Sequence, residues 1–395
     1  MISVSYTILD FEVQMFTAID EPDHRRQLRD SVSGFILRDA SASQARPSTA
    51  HKDGFVPERW RAMAEMGWLG LLVPEDLGGV GLGASDLSAF HQEIGRAALG
   101  DPLIEVTTLA MQALALGSNL ELSTALLPDL IEGATLATFV WQSRPDAMTA
   151  IDVELQAQVD GDSWVLSGHA RFVPLGQCAD GAVVAAKSAE GVMLFWVDTL
   201  PDPGDIAPQS DRGTLSALHF DSVRVPADKV IADTRDGARL LDVVLDTARL
   251  AASAQLLGAM EHAFMITLEY LKTREQFGRP LAAFQALQHR IVDLFVQIEI
   301  ARSALMRAEL AFEHTASAAR ASMVSAAKSR CSDAAMRVTR EAIQLHGAIG
   351  YTDEHDLSRY VKRTLVLASR YGTARAHRTR WLNDQFPMIG AADDH

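Results

Sequence analysis

Between Asp356 and Phe386 seven cations, Arg359, Lys362, Arg363, Arg370, Arg375, Arg378 and Arg380, stand against only Asp356 and Asp384, inside a chain of net charge −15. Guanidinium forks grouped in this way suit a phosphate-rich ligand, and they suit equally well a helix face held in salt bridges. His346, His355 and His377 lie nearby with Asp353, Glu354 and Asp356. No two of these histidines sit four residues apart, as two ligands on one helix face would, so no metal is expected. Gly78, Gly79, Gly81 and Gly83 form a glycine group, but not in the G-x-G-x-x-G order of a dinucleotide loop, and the pattern before them is helical. A serine nucleophile in a G-x-S-x-G turn is absent, and Cys178 and Cys331 are the only cysteines.

The elements that must position these groups are legible from periodicity. From Asp23 to Leu130 apolar residues recur three and four apart, as in Leu28, Val32, Phe35 and Ile36, which predicts helices broken by a loop at 71–83 around Pro74. Near residue 136 the period changes to two. Val153, Leu155, Ala157 and Val159 alternate with Glu154, Gln156 and Gln158, Asp160-Gly161 supplies a turn, and Trp164 begins the return strand. The runs 182–186, 192–197 and 218–225 extend a small, mostly antiparallel sheet, the last of them preceded by a Pro, Gly and Asp cluster at 201–213. Helical spacing returns after Asp236 in long segments at 237–272, 283–315 and 319–346, with Gly347 at a helix stop, which favours a four-helix bundle. The expected division is an amino-terminal helical domain (1–135), a middle β-domain (136–235) and a carboxy-terminal helical bundle (236–395). The fold class is α+β, mostly helical.

Composition narrows the partners. At 395 residues and 48% hydrophobic the chain can build two or three domains or one large core. Its acidity, spread along the whole length, argues against nucleic acid or an anionic membrane surface. No run reaches the roughly 18 apolar residues of a membrane span. Asp10, Glu12, Asp20 and Glu21 precede the first arginine, the reverse of a targeting peptide. A cytoplasmic location is expected.

Four stretches in their correct order carry a family resemblance. YLKTREQFGRPLAAFQALQHRIVDL (270–294) and QLHGAIGYTDEHDLSRYVKR (344–363) closely resemble the paired carboxy-terminal motifs of acyl-CoA dehydrogenases. EMGWLGLLVPEDLGGVGLG (65–83) and FDSVRVPADKV (220–230) are similar to that family's amino-domain motif and last β-domain strand. Within the family the chain looks most like the small subunits of pimeloyl-CoA dehydrogenase-type enzymes and their relatives in sterol side-chain breakdown. The resemblance implies two helical domains around a β-domain, a homotetramer or heterotetramer with a homologous subunit, and FAD lying between subunits. It implies Arg274 on the pyrophosphate, Phe277 packed on the nucleotide, Gln285 hydrogen-bonding near it, and Gln344, His346 and Gly347 at the adenine-ribose end of a neighbouring subunit's flavin. Phe172, Val173 and Thr373 would face the cofactor, and Arg249 the substrate. The implied reaction is α,β-dehydrogenation of an acyl-CoA thioester: a carboxylate takes the α-proton, hydride leaves for the flavin, and an electron-transfer flavoprotein takes the electrons.

The chain departs from the family where the redox chemistry is expected. The usual Tyr-Glu-Gly-Thr stretch reads Arg370-Tyr371-Gly372-Thr373, so Tyr371 occupies the base position, and a phenol of ordinary pKa about 10 is a poor base at neutral pH. The alternative family position for the glutamate, in LDTAR at 245–249, holds Ala248; Asp246 lies about 200° round the helix from it. Phe172-Val173-Pro174 replaces an aromatic, aliphatic and hydroxyl trio, and proline brings neither hydroxyl nor N–H. Phe139-Val140-Trp141-Gln142-Ser143 replaces the usual polar motif of the earlier strand. The sequence leaves open a complete flavoenzyme with Tyr371 or another group as base, a non-catalytic partner subunit lending flavin-binding residues, a related flavin oxidase or monooxygenase, and a helical protein without flavin.

Overall fold

The computed structural model describes residues 21–43, 54–314, 317–352 and 355–386; Asp10, Glu12, Asp20, Asp353 and Glu354 lie outside them. Helices α1 (Asp23–Ser43), α2 (Pro57–Glu65) and α3 (Ala84–Arg96) lead into a π-helical stretch, Ile104–Met111, that continues as α4 (Gln112–Leu116), followed by α5 (Leu120–Ile131). Pro74 and the glycines around it form the expected break between α2 and α3.

The strands follow as β1 (Ala137–Val140), β2 (Gln156–Asp160), β3 (Ser163–Pro174), β4 (Gly181–Lys187), β5 (Val192–Val197), β6 (Pro203–Pro208), β7 (Thr214–Pro226) and β8 (Val230–Ala232). Their order in the sheet is β6-β7-β3-β2-β4-β5-β8, with β1 also on β4. The sheet is mixed rather than wholly antiparallel, because β1 runs parallel to β4, as does β2 at one register. One strand is added and one local reading is corrected. The 201–213 segment contains β6, an exposed edge strand whose prolines forfeit no ladder bond that a neighbour needs. The hairpin strand starts at Gln156, because Asp152 draws the preceding chain into a 3-10 turn by accepting from the N–H groups of Met148 and Thr149 at 2.8 and 3.0 Å. Val153 and Leu155 are buried all the same.

Helix α6 (Gly237–Thr273) is the axis of the molecule. It is enclosed along most of its length, which explains a run of Ala and Leu with little amphipathic contrast. At its crossing with α3, a Cβ at Gly95 would strike the Gln255 backbone and one at Gly258 the Gln92 backbone, so the helices touch main chain to main chain. A two-stranded hairpin, β9 (Glu275–Gln276) and β10 (Arg279–Pro280), follows α6, and then come α7 (Gln285–His314), α8 (Ser317–His346), α9 (Leu357–Ser369) and α10 (Ala374–Gln385). The sheet gives Val183, Ala185 and Leu194 to the helical core and Val184, Phe195 and Phe220 to a smaller core of its own. The molecule is thus an α+β fold, mostly helical, with strands between two helical regions.

Candidate active site

The four-residue strap Arg370–Thr373 joins α9 to α10 and is held from three helices. From α6, Arg249 donates through Nε to the Tyr371 carbonyl at 3.1 Å and through Nη2 to the Met148 carbonyl, while Nη1 pairs with Asp246 at 2.8 Å. From α10, His377 Nε2 donates to the same Tyr371 carbonyl at 3.0 Å. From α8, Lys328 Nζ donates to the Gly372 and Ala368 carbonyls at 3.2 and 3.4 Å and to Ser332 Oγ at 3.2 Å. Arg249, His377 and Lys328 are all fully enclosed. Burial pushes the Lys328 amine down to about 7 and holds His377 well below the usual imidazole range, so His377 is neutral.

Tyr371 is buried at φ +58, a left-handed conformation costly for a bulky residue, and Gly372 follows at φ +107. A Cβ at Gly372 would collide with Met148 Sδ and His377 Nε2, so the Met148 segment lies directly on the strap. The Tyr371 phenol donates to Glu105 Oε1 at 2.5 Å, and Arg370 Nη1 pairs with the same oxygen at 2.8 Å. Burial first and the Glu105 carboxylate second raise the phenol well above its ordinary value. A phenol that donates its hydrogen bond to a carboxylate and resists ionisation is poorly placed to act as a general base. Ala248 is fully enclosed and carries no carboxylate to substitute. Asp246 is spent on Arg249 and Arg380, the latter at 2.9 Å. Arg249, expected at the substrate, has committed all three nitrogens to protein atoms and faces no open cleft. Thr373 is exposed and caps α10, accepting from the Ala376 N–H at 3.3 Å.

Five of the seven cations of the basic cluster pair with carboxylates of the chain. Arg363 pairs with Asp211 at 2.6 Å, Arg370 with Glu105, Arg378 with Asp333 at 2.5 Å, Arg380 with Asp246, and Arg359 with Asp356 at 3.7 Å. Among the described residues no three His, Cys, Asp or Glu side chains converge as metal ligands would. Sequence reasoning missed Glu105, Lys328 and Met148. Glu105 had a visible signal, a single acid in the otherwise uncharged run Leu103–Met111, and it falls on the π-helical stretch, a distortion that often marks functional positions.

The other expected residues gather at the far end of α6. Arg274, the hairpin tip with Phe277, and Gln285 and Gln344 are all exposed; Phe277 shows 92% of its surface and sits at φ +55. His346 is buried beneath Tyr270, ring on ring at 4.3 Å. Its Nδ1 donates to the Ala342 carbonyl at 2.8 Å, and its buried Nε2 has no hydrogen-bond partner among the described residues. Gly347 turns at φ +69 with open space where a Cβ would be. On the sheet, Phe172 is partly exposed at φ +59 while Val173 is buried.

Two family models match the chain: the acyl-CoA dehydrogenase amino-terminal domain over residues 22–134 and the acyl-CoA dehydrogenase carboxy-terminal domain over residues 235–381. The chain belongs to the acyl-CoA dehydrogenase family. Acyl-CoA dehydrogenase IpdE2 of Mycobacterium tuberculosis is 31% identical, covering 87% of this chain and 91% of its own. Among solved structures, the Tcur3481-Tcur3483 steroid ACAD superposes with a TM-score of 0.81 at 28% identity, covering 94% of this chain and 99% of its own. Glutaryl-CoA dehydrogenase of Mycobacterium smegmatis, solved with FADH2, shares the fold at a TM-score of 0.83 and 21% identity, covering 93% and 95%.

Acyl-CoA dehydrogenases are flavoproteins, and FAD is the cofactor to test against these residues. The exposed end fits its nucleotide half. Arg274 offers a fork for phosphate, and Gln285 and Gln344 offer amides. At the strap end Pro174 supplies no donor and Met148 packs on Gly372.

Proposed function

We propose that this chain serves flavin-dependent dehydrogenation of an acyl-CoA thioester as the non-catalytic subunit of a mixed tetramer. One observation carries the reading: the base position holds a buried tyrosine whose phenol donates to Glu105, and the alternative position holds the enclosed Ala248. In this reading FAD supplies the hydride acceptor in an active site whose carboxylate base lies on a homologous polypeptide. Arg274, Phe277, Gln285, Gln344, His346 and Gly347 hold the nucleotide end of that subunit's cofactor. In this reading Phe172, Val173 and Thr373, expected at the cofactor, complete no redox site in this chain. Val292, Val296 and Ile300 recur every four residues on the exposed face of α7, an apolar row suited to packing against a homologous bundle. Electrons leave to an electron-transfer flavoprotein, in a reducing cytoplasm; no disulfide joins Cys178 and Cys331, and among the described residues no helix is long and apolar enough to cross a membrane.

The test is an anaerobic titration of the protein, alone and then co-expressed with a homologue that carries the glutamate, against acyl-CoA thioesters. The expected outcome is no flavin bleaching by the chain alone, and bleaching in the mixed assembly. Bleaching by the chain alone would establish a complete active site here and sink the partner-subunit reading.

A further inference from the structure

We propose that Glu105, Arg370 and Tyr371 form a plug that closes the acyl end of this chain's own cleft, making the chain unable to seat an acyl group even where coenzyme A can reach it. The inference rests on the partner-subunit reading and adds what excludes the substrate.

Glu105 belongs to the amino-terminal helices, while Arg370 and Tyr371 belong to the strap that carries the base position. Both strap side chains therefore cross from the carboxy-terminal helices to the amino-terminal ones and end on the same carboxylate oxygen, at 2.8 and 2.5 Å. All three residues are buried or nearly so. The crossing is fixed from behind: Arg249 and His377 hold the Tyr371 carbonyl, and the left-handed φ of Tyr371 directs its ring forward into the gap. The space left over is small. The polar cleft bounded by Glu105, Pro174, Asp211, Arg363 and Arg370 holds about 20 Å³, the scale of one water, where ligand pockets run to hundreds of Å³. An acyl chain entering there would have to separate Arg370 from Glu105 and break a buried ion pair, a costly step.

Chemistry also explains why the plug is ionic. A purely apolar filling would leave a surface that an acyl chain could share or displace, whereas a satisfied ion pair with a phenol attached offers an apolar ligand no compensation for what it disrupts.

The experiment measures affinity of the full-length chain for coenzyme A, butyryl-CoA, octanoyl-CoA and dodecanoyl-CoA by calorimetry. The wild-type protein is expected to bind all four within about twofold of each other. An affinity that climbs with acyl length in the wild-type protein overturns the plug outright, whether or not any variant folds. The variant Glu105→Leu/Arg370→Leu/Tyr371→Gly removes charge and ring together, and is expected to bind octanoyl-CoA at least tenfold more tightly than wild type with coenzyme A unchanged. Tyr371→Gly alone, which suits the backbone at φ +58, is expected to gain about threefold. A folded variant with no gain also overturns the plug. Flavin bleaching distinguishes the two ideas: bleaching by the wild-type chain alone defeats the partner-subunit reading, whereas absent gain in the variants with no bleaching defeats only the plug.

Discussion

The two ends of α6 treat their polar groups in opposite ways. At the hairpin end Arg274, Gln285 and Gln344 are exposed, and His346 keeps one buried nitrogen without a hydrogen-bond partner among the described residues. At the strap end Arg249, Lys328, His377, Tyr371 and Arg370 are buried, and each gives its donors to the protein's own carbonyls or carboxylates. The contrast supports the proposed division of labour, in which the hairpin end grips a nucleotide and the strap end, with these donors already paired, removes no proton.

If the strap end is structural, its largest debt is electrostatic. Asp246→Ala would leave Arg249 and Arg380 facing each other without their shared carboxylate, and the loss expected is about 3–5 kcal/mol of stability, read from a denaturant midpoint with unchanged slope. A loss below about 1 kcal/mol would show that the cluster is slack and would weaken the contrast between the two ends. Tyr371→Phe removes one bond to a charged acceptor while Arg370 keeps Glu105 paired, so a smaller loss of about 1–2 kcal/mol is expected. Turnover of the mixed assembly should not change, and a collapse in its kcat would make the phenol part of the chemistry. At the other end, Arg274→Ala is expected to leave the melting temperature of the flavin-free protein in place and to weaken FAD retention by about tenfold, near 1.4 kcal/mol. Unaltered flavin content would remove Arg274 from the cofactor and level the comparison from the opposite side.

The order of helices, strands and helices was legible because period is a local property: Leu28, Val32 and Phe35 announce a helix by themselves, and Ala157 with Val159 announce a strand. Tertiary choices were not local. The Pro, Gly and Asp cluster of 201–213 carries no alternating pattern, yet the edge of β7 recruits part of that segment as β6. The cations from Arg359 to Arg380 looked like a shared surface because their carboxylate partners, Asp211, Glu105, Asp246 and Asp333, lie 45 to 265 residues away along the chain. Motif spacing placed Tyr371 and Arg274, but only burial separates one that is enclosed from one that is exposed. Lys328 could not be told from any other helix lysine until α8, α9 and α10 had closed around it.

Lys328 also supplies the finest test of the contrast. Its amine falls from the ordinary value near 10.4 to about 7 on folding, chiefly because burial disfavours the charged form. Between those two pH values the unfolded chain binds the proton more fully than the native one, so stability rises with pH across that window and falls as pH drops towards 7. Lys328→Met removes the group that titrates along with its three hydrogen bonds. The melting temperature of wild type relative to this variant should therefore climb steadily from pH 7 to pH 10. A difference that stays flat would mean that the amine remains charged in the folded protein, reached by water through a strap more open than the packing of Met148 on Gly372 implies.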